Sequence, residues 1–290
     1  SGKGSSSSKM TNETDTAKQQ QETRENWALR AGQWNAQADH LAKLARGLNE
    51  PLMAAAGVQP GHQVLDLASG VGEPALSMAA LVGPDGKVTA SDLVPEMLAG
   101  TERRAREQGV ANMAFQVTPM EELPFADDSF DALTCRLGLM YTPSPERALA
   151  QARRVLRPGG RAAFLVWGPK ADNSQFIIVD RILQEVAGID PHEGAFTPTR
   201  LGEDGALNQL FAAAGFTEFE EQPLRFSPRV DLESNFWRPQ LALRIGDNLK
   251  TMSETEYQRL DDAMRDAYRD LVDGDRVQLQ VHARIGAGTV

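Results

Sequence analysis

This chain of 290 residues predicts an α/β fold with a mostly parallel sheet, on three observations. First, strand-like and helix-like runs alternate: strand 63–68, helix 73–82, strand 87–92, helix 95–108, strand 113–117, strand 130–135, helix 145–156 and strand 160–167. Alternation of this kind needs a parallel sheet with helices on both faces, because each crossover must bring the chain back to the end it left. Second, the first strand, Val64-Leu65-Asp66-Leu67, runs straight into a turn of small residues, Ala68-Ser69-Gly70-Val71-Gly72. Third, the second strand closes on a carboxylate, Asp92. Strand, glycine turn, helix, strand and terminal acid make half of a nucleotide-binding α/β fold.

The elements follow in order. Ser1 to Lys9 precede Met10 and read as the remnant of a tag. Residues 11 to about 22 are polar and read as a flexible start, so 1–21 stand apart from a single domain over 22–290. From Glu22 to Leu48 the spacing is helical, with Trp27, Ala31, Trp34, Ala38 and Leu41 on one stripe that Leu44, Ala45 and Leu48 continue. The ordinary reading packs this stripe on the sheet as core. The functional one makes these segments lid helices, with the two tryptophans over the ligand. Pro95 suits a first helical position, and Ser144 can cap the helix that starts at Pro145.

Beyond Trp167 the pattern predicts a helical patch at 176–186, an irregular stretch with Pro191 and Pro198, a helix over 201–214 and a strand over 216–226. Residues 231–249 suit a further helix. Ser253-Glu254-Thr255-Glu256 is a capping box before a stripe of Tyr257, Leu260, Met264, Tyr268 and Leu271 that Gly274 stops. Val277 to Ile285 alternates like a strand with one wet face, which predicts an antiparallel last strand at the sheet edge. Insertions at about 169–200 and 227–274 are expected to form a helical cap. The cap's Phe176, Ile177, Ile178, Phe196, Phe226 and Phe236, with Trp237 and Leu241, would suit an apolar pocket or plain core.

Composition narrows the function classes. A formal charge of -10 argues against nucleic acid, which needs clustered Lys and Arg. No apolar run approaches the ~20 residues of a membrane span. With no secretory signal and a single cysteine, Cys135, the chain is expected to be cytoplasmic and free of internal disulfides. No Cys/His cluster suggests a metal. The oligomeric state stays open.

The turn chemistry selects among adenosine ligands. Asp92 can accept hydrogen bonds from both ribose hydroxyls. A dinucleotide turn usually reads G-x-G-x-x-G and cradles a pyrophosphate. Here the third glycine is missing, and Asp66 and Glu73 flank the turn. Two acids disfavour a pyrophosphate and suit a ligand carrying ammonium or sulfonium charge.

This pattern resembles the first motif of the class I S-adenosylmethionine-dependent methyltransferases, with Ala68 where the family usually has its first glycine. The resemblance extends through Thr118-Pro119-Met120-Glu121-Glu122-Leu123-Pro124-Phe125, which is similar to the family's adenine loop, with Pro119 in place of the usual Asp. It continues through Asp127 to Cys135 and through Pro145 to Arg161. The nearest subgroup resembles the ubiquinone/menaquinone C-methyltransferase-like small-molecule enzymes. The resemblance implies a Rossmann-like seven-stranded sheet and S-adenosyl-L-methionine as cofactor, with S-adenosyl-L-homocysteine as product and no metal. The reaction it implies is in-line transfer of the methyl group to a small, aromatic or apolar acceptor.

Residue by residue, the resemblance implies that Asp66 and the turn of Ala68, Ser69, Gly70 and Gly72 border the methionine part. Asp92 would bind the ribose, with Leu93 and Met97 against the adenine. Pro119, Met120 and Glu121 would line the base, and Arg136, after the fourth strand, would face the cofactor. Candidates for a base are His192, in the expected cap, and Tyr141, just past the fourth strand. His62 lies on the wrong end of the sheet, His40 is off the apolar stripe, and His282 is expected to be solvated on the edge strand. Two other functions fit less well: a nicotinamide-dependent oxidoreductase, and a non-catalytic scaffold that binds the cofactor.

Overall fold

Val64, Leu65, Asp66 and Leu67 are all sealed from solvent and form β1 (Gln63–Leu67), the centre of the sheet. A central parallel strand is covered on both faces, so it reads as a continuous apolar run rather than an alternating one. The computed structural model describes residues 6–290, with side chains from residue 13 onward except those of Leu44 and Ala45. Residues 1–5 of the segment read as a tag, and the side chains of Leu44 and Ala45 in the helical stripe, lie outside the described residues.

The other strands of the main sheet are β2 (Lys87–Asp92), β3 (Met113–Val117), β4 (Phe130–Arg136), β5 (Leu156–Trp167) and β6 (Thr217–Phe226). A second group comprises the short β7 (Arg229–Val230), β8 (Val272–Asp273) and β9 (Arg276–Gln278), and the last strand is β10 (Val281–Thr289). The main sheet has seven strands in the order β3-β2-β1-β4-β5-β10-β6. β1 to β5 run parallel to one another, and β10 runs antiparallel to both β5 and β6.

One expectation needs correction. The antiparallel last strand is not at the edge: β10 lies between β5 and β6, and β6 is the edge. The polar alternation that read as a wet face is buried ion pairing. Arg284 is 7% exposed and reaches Glu221 at 2.6 Å and Asp204 at 2.7 Å. His282 is buried, not solvated, with Nδ1 at 2.8 Å from Asp172. Residues 276–278 belong instead to the small sheet β7-β9-β8, so the single predicted strand is two.

The helices are α1 (Ser6–Ala36), α2 (Ala38–Ala55), α3 (Ala75–Val82), α4 (Pro95–Glu107) and α5 (Pro145–Val155), then α6 (Ser174–Ile182), α7 (Ala206–Ala214), α8 (Trp237–Thr251) and α9 (Glu254–Arg269). The helix expected from Glu22 reaches back to Ser6. The apolar stripe divides within α2: Ala31, Ala38 and Leu41 pack with Val71, Val94 and Met97 above the strand ends, whereas Leu48 packs with Leu52 on the sheet. α1 sits close on α4, since a Cβ at Gly100 would fall 1.6 Å from Asn35 Oδ1. The segments α6, α8 and α9 bury Ile178, Trp237, Leu241 and Met264 in a core of their own, so these apolar residues are packing rather than pocket wall. Ser253 and Glu256 complete both halves of the capping box at the start of α9.

Candidate active site

The loops after β1, β2, β3 and β4 leave the sheet at its carboxyl end and enclose a cleft there, the place where ligands bind in open α/β sheets. Its free space is about 1140 Å³ with the open mouth included. α1 and α2 roof it through Gln20, Thr23, Trp27, Trp34 and Leu41.

Asp66 is the foundation of the turn rather than part of the wall. Ser69 Oγ donates to its Oδ2 at 2.8 Å and Thr134 Oγ1 to its Oδ1 at 2.7 Å, while Ser91 Oγ donates to its carbonyl at 2.8 Å. Burial pushes its pKa up to about 7, opposed by those two hydroxyls and by the charge of Arg136. The turn it anchors is bent sharply: Ala68 has φ 51° and Gly70 φ 56°. The left-handed region favours glycine, and an L-residue there costs roughly 1–2 kcal/mol, which is the physical reason a glycine suits the position Ala68 holds. Ala68, Ser69 and Gly70 line the cleft; Gly72 does not.

Asp92 closes β2 and lines the cleft. Its Oδ2 accepts from Gly70 N and its Oδ1 from Val94 N, both at 2.9 Å. Each oxygen therefore keeps a lone pair for a further donor. The carboxylate keeps some surface open to the cleft, but the helical roof shuts out bulk solvent, and burial raises its pKa to about 6 against those amides. Leu93, Met97, Pro119 and Met120 give an apolar wall beside it. Glu121 is 4% exposed; it accepts from Gln20 Nε2 at 3.2 Å and from Thr142 Oγ1, and burial raises its pKa. Gln20 thus ties α1 to the loop after β3.

Arg136 and Glu73 both line the cleft without an ion pair between them. Arg136 Nη1 donates to Asn49 Oδ1 at 2.6 Å, and Asn49 Nδ2 donates to Glu73 Oε2 at 3.1 Å. A cation and an anion held side by side by an amide match a zwitterion. Past Arg136 the chain folds back at Leu137, φ 55°, and at Gly138, where a Cβ would stand 2.4 Å from that of Ala68. Only glycine lets the β4 turn close on the β1 turn.

Tyr141 also lines the cleft, edge-on to Trp27 at 5.0 Å. Burial pushes its hydroxyl up to about 12, although the charges of Arg30 and Arg244 pull the other way. At neutral pH it is a donor, not a base. Arg200 fixes its turn by donating from Nε to Met140 O at 2.7 Å and from Nη2 to Thr142 O. His192 is not in the wall: its Nε2 lies 3.0 Å from Asp180 Oδ2, in the cap. Sequence reading passed over Leu137, Gly138 and Thr142, which have no motif of their own. It named Trp27, Trp34 and Glu73 without assigning them to the site. The indole Nε1 of Trp34 is buried with no partner among the described residues, a donor left for a ligand.

A nucleotide-type cleft at the end of this seven-stranded sheet defines the Rossmann-like fold of known methyltransferase structures. The geranyl diphosphate C-methyltransferase of Streptomyces coelicolor, solved with S-adenosyl-L-homocysteine, aligns with TM-score 0.50 at 20% identity, covering 87% of this chain and 82% of that one. The [4+2]-cyclase SpnF aligns with TM-score 0.52 at 21% identity, covering 83% and 80%. At these identities the likeness is one of fold. The model of the ubiE/COQ5 methyltransferase family matches residues 44–171. The ubiquinone/menaquinone biosynthesis C-methyltransferase UbiE of Cupriavidus taiwanensis is 39% identical over 151 residues, 48% of this chain and 60% of that protein. The chain thus spans no more than 60% of the length of the curated relatives it matches. The family match holds every expected cofactor residue from Asp66 to Arg136 and leaves the helical cap outside it.

Proposed function

We propose that the chain is an S-adenosyl-L-methionine-dependent methyltransferase for a small aromatic or apolar acceptor. The observation that carries this reading is the pairing of Asp92, with a free lone pair on each oxygen, and the adjacent Arg136 and Glu73 across one cleft. The first suits a ribose; the second and third suit the carboxylate and ammonium of a methionine. Leu93, Met97, Pro119 and Met120 would flank the adenine, and Trp34 Nε1 would donate a hydrogen bond. Ala68, Ser69 and Gly70 allow close approach of the backbone. Asp66 holds that turn in place from beneath, through Ser69.

When bound, the cofactor supplies a methyl group already activated on a sulfonium. What remains for the chain is to bind, orient and exclude water. Trp27, Trp34 and Leu41 roof the cleft against water, and Tyr141, protonated at neutral pH, donates to the acceptor. No histidine lines the cleft among the described residues, and its carboxylates Glu73, Asp92 and Glu121 are each held by amide or hydroxyl donors, so these side chains are read as orienting groups. An acceptor with an acidic hydroxyl or an activated carbon fits this provision. A pyrophosphate-bearing dinucleotide fits less well, because Glu73 stands in the wall.

The test is incubation with S-adenosyl-L-methionine and a panel of phenols, quinols and aromatic acids, measuring S-adenosyl-L-homocysteine release. The expected result is release that depends on an acceptor and is lost in Asp92→Ala. Normal cofactor binding with no release for any acceptor would leave a non-catalytic scaffold instead.

A further inference from the structure

Outside the family match, α1 and α8 pack together where the roof meets the cap. Gln37 Nε2 donates to Pro239 O at 3.3 Å, and a Cβ at Gly246 would come within 2.9 Å of Gln33 Cγ. The contact draws two arginines toward Tyr141: Arg30 lies over Trp27, which meets Tyr141 edge-on, and Arg244 pairs with Asp180, which also holds His192, the residue after the Pro191 that Arg30 bonds. Each guanidinium makes a single hydrogen bond among the described residues: Arg30 Nη2 to Pro191 O at 3.2 Å, and Arg244 Nη1 to Asp180 Oδ1 at 3.4 Å. A guanidinium has five N–H donors, so most of both forks is left over.

Positive charge here is in excess. Asp180 is the one carboxylate that pairs with any of this group among the described residues, and its other oxygen is taken by Lys170 Nζ and His192 Nε2, each at 3.0 Å. Asp190, the nearby exposed acid, accepts from the backbone of His192. Burial lowers the pKa of both arginines, and Arg30 lowers that of Arg244 further. Arg244 is sheltered but not sealed, with 14% of its side chain exposed. Two partly buried like charges, of which only Arg244 pairs with a carboxylate, repel each other, and a bound anion would turn that repulsion into attraction.

The walls are aromatic. The Arg30 guanidinium lies 5.4 Å from the ring of Trp27, which meets Tyr141 edge-on at 5.0 Å. The Arg244 guanidinium lies 4.7 Å from the ring of Phe176, which meets Trp167 edge-on at 5.4 Å. Aromatic faces beside guanidinium groups suit a flat body with an anionic end, and Tyr141 and Trp27 also line the cleft, which places the pair at its border. We infer that Arg30 and Arg244 form an anion-binding subsite beside Tyr141, which selects acceptors carrying a carboxylate or phosphate on an aromatic or apolar body. As an acceptor subsite it rests on the methyltransferase reading; as an anion site it stands without it.

Calorimetric titration of the full chain, saturated with S-adenosyl-L-homocysteine, tests this with cinnamate, phenyl phosphate and cinnamamide as probes. One of the two anions should bind at least about tenfold more tightly than the neutral amide, and the tighter one identifies the charged group. Arg30→Gln and Arg244→Gln should each erase the preference and leave S-adenosyl-L-homocysteine affinity unchanged; that affinity also reports that each variant is folded. If Arg244→Gln does not fold, Arg30→Gln decides. Equal binding of anions and amide, no binding of either anion, or a preference that survives in both variants would overturn the subsite. Failure of S-adenosyl-L-homocysteine to bind would instead overturn the methyltransferase reading, and the same titration without it would then decide the anion subsite alone.

Discussion

Asp66 and Asp92 sit 26 residues apart at the ends of neighbouring strands, and burial raises both pKa values, yet their surroundings set different roles. Asp66 spends both oxygens on Thr134 and Ser69, so it stabilises the turn. Asp92 spends half of each oxygen on amides and keeps the rest for a ligand. Asp92→Ala should therefore weaken S-adenosyl-L-homocysteine binding by on the order of 3 kcal/mol, as two charge-assisted bonds are lost; calorimetry reading an unchanged affinity would remove Asp92 from the site. Because the ionised form is the better acceptor, wild-type affinity should rise as the pH climbs through about 6. Stability should run the other way. A carboxyl whose folded pKa is raised binds its proton more tightly folded than unfolded. Its contribution is full below 3.8 and lost as the pH rises through about 7 for Asp66. Thermal unfolding should show the wild type losing stability between about pH 4 and about pH 7, and Asp66→Asn losing less over that interval. An equal loss in the variant would assign the pH dependence to other groups.

Among the elements, the strands and helices between residues 63 and 167 could be read in advance because each carries its own period and its own stop. β2 and β3 begin and end where the pattern placed them. β10 could not be read this way, since alternating polar residues look the same in sequence whether water or Glu221, Asp204 and Asp172 satisfy them. The roof was ambiguous for a related reason: a stripe with Trp27 and Trp34 is apolar whether it faces a sheet or a ligand. Its hold on the cleft depends on the close contact at Gly100. Gly100→Ala should push α1 off α4, increase hydrogen exchange along α1 and weaken S-adenosyl-L-homocysteine binding, while the sheet keeps its protection. Unchanged exchange in α1 would mean that Asn35 simply turns aside. The capping box of α9 is independent of the site. Ser253→Ala should lower stability by about 1 kcal/mol and leave cofactor affinity alone, as measured by denaturant unfolding and calorimetry.

At the scale of the whole molecule, two cores meet over one cleft, and they were unequally open to sequence reading. The proposed cofactor side carries the motifs of the family resemblance, so Ala68, Ser69, Gly70, Asp92, Met120 and Arg136 could be named before the fold was known, and all line the cleft. The proposed acceptor side is assembled from residues far apart in the chain. Trp27, Tyr141, Phe176 and Arg244 share no motif, and only packing of α1 on α8 brings them near one another. His192 illustrates the difference: its place in a polar loop suggested a base, but the fold commits it to Asp180. The ligand of the cleft is decided by thermal unfolding with S-adenosyl-L-homocysteine or with NADH, each in large excess. Ligand at about a hundredfold over its dissociation constant adds roughly 2.7 kcal/mol. S-adenosyl-L-homocysteine should raise the unfolding temperature by several degrees and NADH should leave it unchanged; a shift with NADH alone, or with neither, would remove S-adenosyl-L-methionine as the ligand of the cleft.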